Sequence, residues 1–215
     1  MQIKTIPEIS DFKSNAYIVS NGDRAVLIDA PFEAPRILKE LGELKLEAVL
    51  LTHGHVDHIS ALREVVAATG CDFYISYEDD IMLKDPVPSL SKYFGMPFSP
   101  FEGEKNFSDG DVLHLAGMDF RIISTPGHTD GSVCIQCEDV VFTGDTLFKG
   151  SIGRNFGSST YRKIVDYSIR RLYEELCANG RNYKIYPGHG ETSDLRAELE
   201  TNPFLANLKD AIKLN

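Results

Sequence analysis

The chain has 215 residues, of which 42% are hydrophobic and 25% are charged, and its formal net charge is −10. This length and composition predict a single globular domain over residues 1–215 with a continuous apolar core. The acidic balance repels phosphate backbones and therefore disfavours nucleic acid as a partner. The sequence contains neither an apolar run long enough to cross a bilayer nor a signal peptide. We therefore expect a cytoplasmic protein with no membrane partner, whose oligomeric state stays open.

Strand and helix patterns alternate through the first half of the sequence. Strands are predicted at 2–6, 15–20 and 24–30, and an Asn-Gly pair at 21–22 predicts a tight hairpin between the last two. A helical pattern at 32–44 is followed by a short buried strand at 47–51. A second helix is predicted at 59–70, where Gly70 is the stop signal.

The second half mixes the same two patterns. Strands are predicted at 111–116, 118–124, 132–137, 139–143 and 183–187, and a helical tail follows. A long helix is predicted at 158–180, with Ser158 or Ser159 as its cap. The apolar face of this helix consists of Val165, Ile169, Leu172 and Leu176.

The cysteines are too few and too scattered for a disulfide framework, which is consistent with a reducing compartment. They are Cys71, Cys134, Cys137 and Cys177. Cys134 and Cys137 form a C-x-x-C, but residues three apart on a strand point to opposite faces. We therefore expect ordinary packing of these two side chains rather than a redox pair or a zinc site.

The stretch at 84–106 is rich in Pro, Gly, Ser and Phe and has no clear period. A long aromatic loop inside a compact domain is often a lid or a substrate wall. In that interpretation Phe94, Phe98 and Phe101 form an apolar wall beside a substrate. The alternative is a surface loop packed on itself, and the sequence favours neither.

Four predicted strands end in the same way, because each apolar run stops at Thr, Pro or Gly and a His or an Asp follows. The endings are THGHVDH at 52–58, TPGH at 125–128, TGD at 143–145 and PGHG at 187–190. In layered α/β proteins, ligands gather beyond strand ends. Five of the six histidines lie in these endings: His53, His55, His58, His128 and His189. The sixth, His114, lies inside a predicted strand, and we expect it to be surface or half-buried with no role.

Imidazole nitrogens and carboxylate oxygens together predict a site for two divalent metal ions. The first ion would be bound by His53, His55 and His128, the second by Asp57, His58 and His189, and Asp145 would bridge them. A sharp turn at Gly54 would let the first two histidines converge. The site would keep room for a shared water, as catalytic metal sites do. In the simpler alternative Asp57 caps a helix and Asp145 is a turn residue, but this leaves the common position of all these groups unexplained.

The motifs T-H-G-H-V-D-H, P-G-H, T-G-D-T and P-G-H-G resemble the signature of the metallo-β-lactamase-fold hydrolases and span positions 52 to 190 in the order of that family. The resemblance implies an α/β (α+β) fold, a four-layer αββα sandwich with the metals at one edge of the two sheets. GDTLFKGSIGR at 144–154 is similar to the glyoxalase II-like (hydroxyacylglutathione hydrolase-like) branch, as is NPFL at 202–205. By the same resemblance, Asp29 orients the histidine loop from outside the ligand set.

The resemblance implies a metal-dependent hydrolase of an acyl-thiol such as S-lactoylglutathione, with zinc as the expected metal and iron or manganese as alternatives. Too few residues follow His189 for the helical C-terminal domain of full-length glyoxalase II, so we expect a branch without it. Arg154 is followed by Asn155 and Phe156, whereas many relatives have Thr or Ser and then Asp at these positions.

The expected mechanism uses Asp57 to orient a hydroxide that two metal ions make available at neutral pH. The thioester carbonyl would lie on the first ion, and the thiolate would leave without strong acid help. Lys149 and Arg154 follow the Asp145 strand on a Gly-rich loop, so either could bind a substrate carboxylate. The alternative is that both are solvated surface charges.

Two other functions stay open. Persulfide dioxygenases of the same superfamily bind a single iron through two histidines and an aspartate and consume oxygen. The second alternative is a non-catalytic metal-binding module. Structural zinc sites are closed, however, whereas the predicted site is open. Metal identity and oxygen uptake distinguish the dioxygenase from a hydrolase.

Overall fold

A computed structural model describes residues 1–9, 11–154, 162–177 and 180–209. The first sheet contains, in spatial order, β1 (Gln2–Ile9), β2 (Ser14–Asn21), β3 (Arg24–Ile28), β4 (Lys45–Leu50), β5 (Asp72–Ser76) and β6 (Lys105–Phe107). β1 to β3 pair antiparallel, and Asn21 stands opposite Arg24, which confirms the predicted hairpin. β3 to β6 pair parallel.

The second sheet is built from later strands. They are β7 (Val112–Leu115), β8 (Met118–Ser124), β9 (Val133–Cys137), β10 (Val140–Gly144), β13 (Lys184–Pro187) and β14 (Ser193–Asp194). Their spatial order is β14-β13-β10-β9-β8-β7, and β10 and β13 pair parallel. A small hairpin of β11 (Leu147–Phe148) and β12 (Ser151–Ile152) follows β10.

Helices cover the outer faces of the two sheets. The α-helices are α1 (Ala34–Leu41), α2 (Val56–Ile59), α3 (Leu62–Thr69), α4 (Arg170–Cys177), α5 (Leu195–Thr201) and α6 (Ala206–Lys209). A π-helical segment, Lys163–Ile169, leads into α4, and 3₁₀ turns lie at Tyr77–Leu83 and Pro203–Leu205. No helix in the described parts of the chain is long and apolar enough to cross a membrane.

Alternating side chains on the first sheet contribute to two different cores. Leu27 and Val49 pack with Ile37 of α1 and Val65 of α3. Their strand neighbours Val26, Ile28, Ala48 and Leu50 join Phe120, Ile135 and Phe142 of the second sheet. The second of these cores therefore lies between the two sheets.

A third core lies on the outer face of the second sheet. Ile123, Val141 and Ile185 of this sheet pack with Ile169 and Leu172 of the helix above it. The order helix, sheet, sheet, helix confirms the four-layer αββα sandwich.

The strand cysteines follow the same alternation. Cys134 belongs to the outer core and Cys137 to the core between the sheets, so they point to opposite faces as predicted. All four cysteines are free and buried.

Most predicted elements are present with shifted ends. Gly70 ends α3 in a left-handed conformation and donates its backbone N–H to Val66, as the stop signal predicted. The helix predicted at 158–180 is described from 162 to 177, and Ser158 and Ser159 lie outside the described residues. The sequence patterns missed β5, β6, β14 and the β11–β12 hairpin. These strands are short, and pairing with a neighbouring strand rather than local pattern determines them.

The long loop at 84–106 does not form a uniform aromatic wall. Phe101 stacks on Phe73 with ring centroids 4.9 Å apart and packs against the core under α1 and α3. Phe98 and Phe101 line one cavity beside α2, and their place in a substrate wall stays a prediction. Phe94 instead contacts the ring of Phe12 at 5.2 Å, in the β1–β2 connection. Whether the loop closes over a substrate stays a prediction.

Candidate metal centre

The predicted site residues follow strands that end at one edge of the sandwich. β3 and β4 are parallel, so Asp29 and the histidine loop at 52–58 leave the first sheet at the same edge. In the second sheet, β8 and β10 both run antiparallel to β9, and β13 runs parallel to β10. His128, Asp145 and His189 therefore also leave their strands at one edge, and the packing of the two sheets brings both sets together.

His53, His55 and His128 form what we call the first ligand group. One ring nitrogen of each lies within 4.8 Å of the others. Nδ1 of His55 is 2.8 Å from Nε2 of His128. The three residues are buried.

Asp57, His58 and His189 form the second ligand group, again with one ligand atom each within 4.8 Å. Oδ2 of Asp57 lies 3.3 Å from Nε2 of His189 and 3.6 Å from Nε2 of His58. Asp145 lies between the two groups. Its Oδ1 is 3.4 Å from Nε2 of His58, and its Oδ2 is 3.4 Å from Nε2 of both His128 and His189. The structure thus brings all seven predicted ligands together, and their role as ligands stays a prediction.

Hydrogen bonds at Nδ1 orient three of the imidazoles. The pairs are His58 with the Asp29 carboxylate at 2.8 Å, His128 with the Arg154 carbonyl at 3.1 Å, and His189 with the Lys13 carbonyl at 3.2 Å. Carbonyl and ionised carboxylate oxygens only accept hydrogen bonds, so each Nδ1 carries the hydrogen. Each Nε2 then points to the centre, where a neutral imidazole offers the lone pair that metal binding requires.

Asp29 lies directly under the histidine loop. Its Oδ1 accepts the backbone N–H of Thr52 at 2.7 Å, and its Oδ2 accepts the Thr52 hydroxyl at 2.8 Å as well as Nδ1 of His58. The residue adopts a left-handed backbone conformation, φ 57°, just after β3. Asp tolerates this conformation better than most side chains. This placement agrees with the orienting role that the resemblance implied.

The donor set fits divalent cations. Two buried polar atoms at the centre, Nε2 of His53 and Oδ1 of Asp145, have no hydrogen-bond partner among the described residues. Leaving such an acceptor unpaired costs on the order of 1–3 kcal/mol, so a partner is expected. A cation can satisfy several converging lone pairs at once, and nitrogen and carboxylate ligands suit zinc, iron and manganese. The residues fit two such ions and do not discriminate among these metals.

Two histidines of the first group, His53 and His55, are kept neutral by their surroundings. Burial, followed by repulsion from His58, holds the pKa of His53 well below its ordinary value. Burial and the neighbouring His128 lower the pKa of His55 to about 3. Both imidazoles therefore keep a lone pair available for metal at physiological pH.

The second group has the opposite electrostatics. Burial disfavours the charge on His58, but Asp57, Asp29 and Asp145 outweigh it and raise the pKa of this imidazole well above its ordinary value. Burial also opposes the charge on His189, yet hydrogen bonds to Asp145 and Asp57 raise its pKa to about 9. Burial raises the pKa of Asp57, but His58 and His189 bring it down to about 2. Without metal, this group holds protons that a cation would replace.

Two glycines leave the space that the site needs. A Cβ at Gly188 would lie 2.3 Å from Oδ1 of Asp145 and 2.8 Å from Cε1 of His58. A Cβ at Gly54 would lie 2.5 Å from Cβ of Met82, and Gly54 does not have a positive φ. Glycine is thus required between His53 and His55 for close packing rather than for a left-handed turn.

Several supporting residues were not predicted from the sequence. The Ser14 hydroxyl donates to Oδ2 of Asp57 at 3.0 Å, and Ser14 also forms a β-bridge with His189. Asp79, buried after β5, joins two of the ligand loops. An acidic residue after a strand at the same edge was a usable signal, but β5 itself had not been predicted.

The predicted substrate contacts lie at the surface. Lys149 is exposed, and its Nζ is 2.5 Å from Oε2 of Glu191. Arg154 is exposed as well, next to the first group through its carbonyl, while Asn155 and Phe156 lie outside the described residues. Roles of Lys149 and Arg154 in substrate binding stay predictions.

The remaining histidine lies away from the site. His114 is exposed on β7 and pairs with Asp119 on β8, in agreement with the surface position expected for it.

Comparison with known protein families and sequences gives consistent matches over most of the chain. The profile of the Metallo-beta-lactamase superfamily matches residues 9–199. The uncharacterized protein ML0493 of Mycobacterium leprae is 38% identical over 217 residues, which cover 90% of this chain and 94% of the relative. Hydroxyacylglutathione hydrolase GloC of Haemophilus influenzae is 35% identical over 213 residues, which cover 95% of this chain and 98% of the relative.

Solved structures show the same fold. The BLEG-1 B3 metallo-beta-lactamase superposes with a TM-score of 0.82 at 29% identity, covering 95% of this chain and 100% of the other. The protein TTHA1623, solved in a di-iron-bound form, superposes with a TM-score of 0.78 at 30% identity, covering 92% of this chain and 98% of the other. ETHE1 from Myxococcus xanthus superposes with a TM-score of 0.76 at 24% identity, covering 100% of this chain and 92% of the other. This likeness shows the fold alone. The metal that this chain uses therefore stays unresolved.

Proposed function

The chain belongs to the metallo-beta-lactamase superfamily, and from that premise we propose that it is a dinuclear metal-dependent hydrolase of a thioester such as S-lactoylglutathione or a related acyl-thiol. The observation that carries the proposal is the pair of ligand groups on either side of Asp145. The near full-length similarity to a hydroxyacylglutathione hydrolase supports a thioester as the substrate class.

Two divalent cations bound by these ligands, with zinc as our first choice, would polarise a thioester carbonyl and lower the pKa of a bound water towards neutrality. Asp57 is the residue that we propose orients this water. Its pKa of about 2 keeps the carboxylate ionised, and its side chain is 16% exposed. The hydrogen bond from Ser14 holds the carboxylate in place, so it can accept a hydrogen bond from the water and direct the water's lone pair to the substrate.

Departure of the thiolate needs little assistance from the protein. A thiol has a reference pKa near 8.5, so the thiolate leaves without a strong general acid. Lys149 and Arg154 would contact carboxylates on the acyl group or the thiol carrier from the mouth of the site. Their exposed position is compatible with binding a charged substrate from solvent.

The test is hydrolysis of S-lactoylglutathione by the purified full-length chain, loaded in turn with zinc, manganese and iron. We expect saturable turnover with at least one metal, and we expect Asp57→Ala to abolish it. Asp119→Ala is the matched control, because it removes an exposed carboxylate paired with His114 away from the site and should leave turnover unchanged.

The alternatives give different results. No turnover with any metal would remove this thioester from the proposal. Oxygen uptake with a persulfide by the iron-loaded chain would indicate the dioxygenase instead. Metal binding with neither activity would favour the non-catalytic module.

A further inference from the structure

Asp79 is a carboxylate that is wholly buried beside the metal centre but is not one of the seven ligands. It lies in the 3₁₀ turn Tyr77–Leu83, just after β5, and its side chain has 0% exposure. A buried carboxylate is costly unless its oxygens accept hydrogen bonds. The groups that donate hydrogen bonds to Asp79 therefore indicate its role.

These partners come from the two loops that carry the first ligand group. Oδ2 of Asp79 accepts the backbone N–H of Gly54 at 3.0 Å, between His53 and His55 in the sequence. The same oxygen accepts the hydroxyl of Thr129 at 2.7 Å, and Oδ1 accepts the backbone N–H of Gly131 at 2.9 Å. One carboxylate thus joins the loop after β4 to the loop after β8.

The packing around Asp79 leaves little freedom for either loop. A Cβ at Gly131 would lie 2.6 Å from Oδ1 of Asp79, so this glycine permits the close approach. Met82, from the same 3₁₀ turn, occupies the space beside Gly54. The turn therefore contacts the histidine loop by packing and by a hydrogen bond.

The second ligand group is supported by other residues. Asp29 accepts from His58, and the Lys13 carbonyl accepts from His189. The loop that follows β13 is held by the Asn15 side chain, which donates to the carbonyls of Pro187 and Gly190. His58 and His189 therefore have hydrogen-bond anchors that do not involve Asp79.

We propose that Asp79 is a positioning residue for the first metal ion, because it fixes the distance between the loop of His53 and His55 and the loop of His128. The inference rests on the metal centre of the proposed function but not on its substrate. Without Asp79 the three imidazoles would no longer converge, whereas the second group would keep its own support.

The test is a zinc titration of the full-length protein, in competition with a chelator, followed by NMR of the histidine imidazoles. Signals of His55 and His189, assigned with His55→Gln and His189→Gln, report the two groups separately. In Asp79→Asn an amide nitrogen replaces one accepting oxygen. We expect the His55 response to need roughly 10–100-fold more free zinc, the usual loss when a partner outside the ligand set is removed. The His189 response should stay close to that of the wild type.

Asp80→Asn is the matched control, because it removes the same charge from the neighbouring position, where Asp80 pairs with Lys84. Its two zinc responses should match those of the wild type. If Asp79→Asn weakened zinc binding equally at both groups, or weakened it at neither, the proposal would be overturned.

A second variant covers the case in which Asp79→Asn does not fold. Thr129→Val removes one of the three donors and keeps the carboxylate, so it should shift the His55 response in the same direction by a smaller factor. Absence of a selective shift would then count against Asp79. The proposed thioesterase is tested separately, since the zinc responses do not depend on turnover.

Discussion

Both ligand groups of the metal centre contain histidines, yet the electrostatic surroundings of these histidines are opposite. His53, His55 and His128 are buried, and burial together with neighbouring histidines lowers the pKa of the first two. In the second group His189 is 26% exposed, and carboxylates raise its pKa to about 9. The first group is therefore ready to bind a cation, whereas the second must release protons to do so.

The difference comes from where the carboxylates lie rather than from the histidines themselves. His58 and His189 each face Asp57 and Asp145, and Asp29 adds a third carboxylate for His58. A nearby negative charge favours the protonated imidazole, whereas burial and nearby imidazoles favour the neutral one. Local charge thus decides which of the two groups holds protons that a cation would have to replace.

Removing the shared carboxylate should have the largest effect, because it breaks both groups. Asp145→Asn is expected to lose bound metal and more than about 100-fold in kcat/KM, since a bridging ligand matters more than a residue outside the ligand set. Metal content and turnover measure this. Far-UV circular dichroism should stay like that of the wild type, and unfolding of the variant would favour a structural metal module.

A Cβ at Gly188 should damage mainly the second group. Gly188→Ala brings a methyl group within contact of Oδ1 of Asp145 and Cε1 of His58, and we expect a loss of about tenfold or more in affinity for the second zinc. Gly190→Ala is the control, because its Cβ meets no atom although its φ is +75°. That control should lose some stability but retain zinc. Similar zinc loss in both variants would show that loop strain, not contact, is responsible.

The pH dependence of zinc binding should separate the two groups. In the metal-free protein His189 keeps its proton up to about pH 9, so zinc must displace it, and the apparent affinity of the second ion should rise with pH. The slope should be at least about tenfold per pH unit between neutral pH and about pH 9, because His189 releases one proton and His58, whose pKa is also raised, adds to the release. The first ion should bind with little pH dependence, because the pKa of His55 is about 3. Chelator competition at several pH values measures the affinity of each group for zinc. Equal pH dependence of the two affinities would contradict the proposed difference between the groups.

The smallest expected effect concerns the surface cation near the second group. Lys149→Ala should raise KM for a carboxylate-bearing thioester a few-fold and leave kcat unchanged, since it removes binding that is equal in substrate and transition state. Its pair with Glu191 is exposed and adds little stability. Lys4→Ala removes a similar exposed pair with Glu40 and serves as the control in steady-state kinetics. An unchanged KM would indicate that Lys149 is a solvated surface charge with no role in substrate binding.

The resemblance of the sequence motifs to a known family implied the four-layer sandwich, and the strand endings predicted that the histidines and aspartates gather at one edge. Apolar strands such as those before Thr52 and Thr125 have a clear local pattern, and each chemical group follows its strand directly. The sequence could not predict β5 or β6, because short strands depend on their neighbours. The packing of Phe101 on Phe73 could not be predicted either, since an aromatic residue in a loop can pack inward or outward.

What only the tertiary structure decided is the set of contacts between residues far apart in the chain. Asp79 meets Gly54 and Gly131, and the carbonyls of Lys13 and Arg154 orient His189 and His128, although nothing local to either partner indicates these pairs. The opposite pKa shifts of the two ligand groups have the same origin. Secondary structure and ligand chemistry follow from local pattern, whereas hydrogen-bond partners and local charge depend on how two sheets and their loops pack.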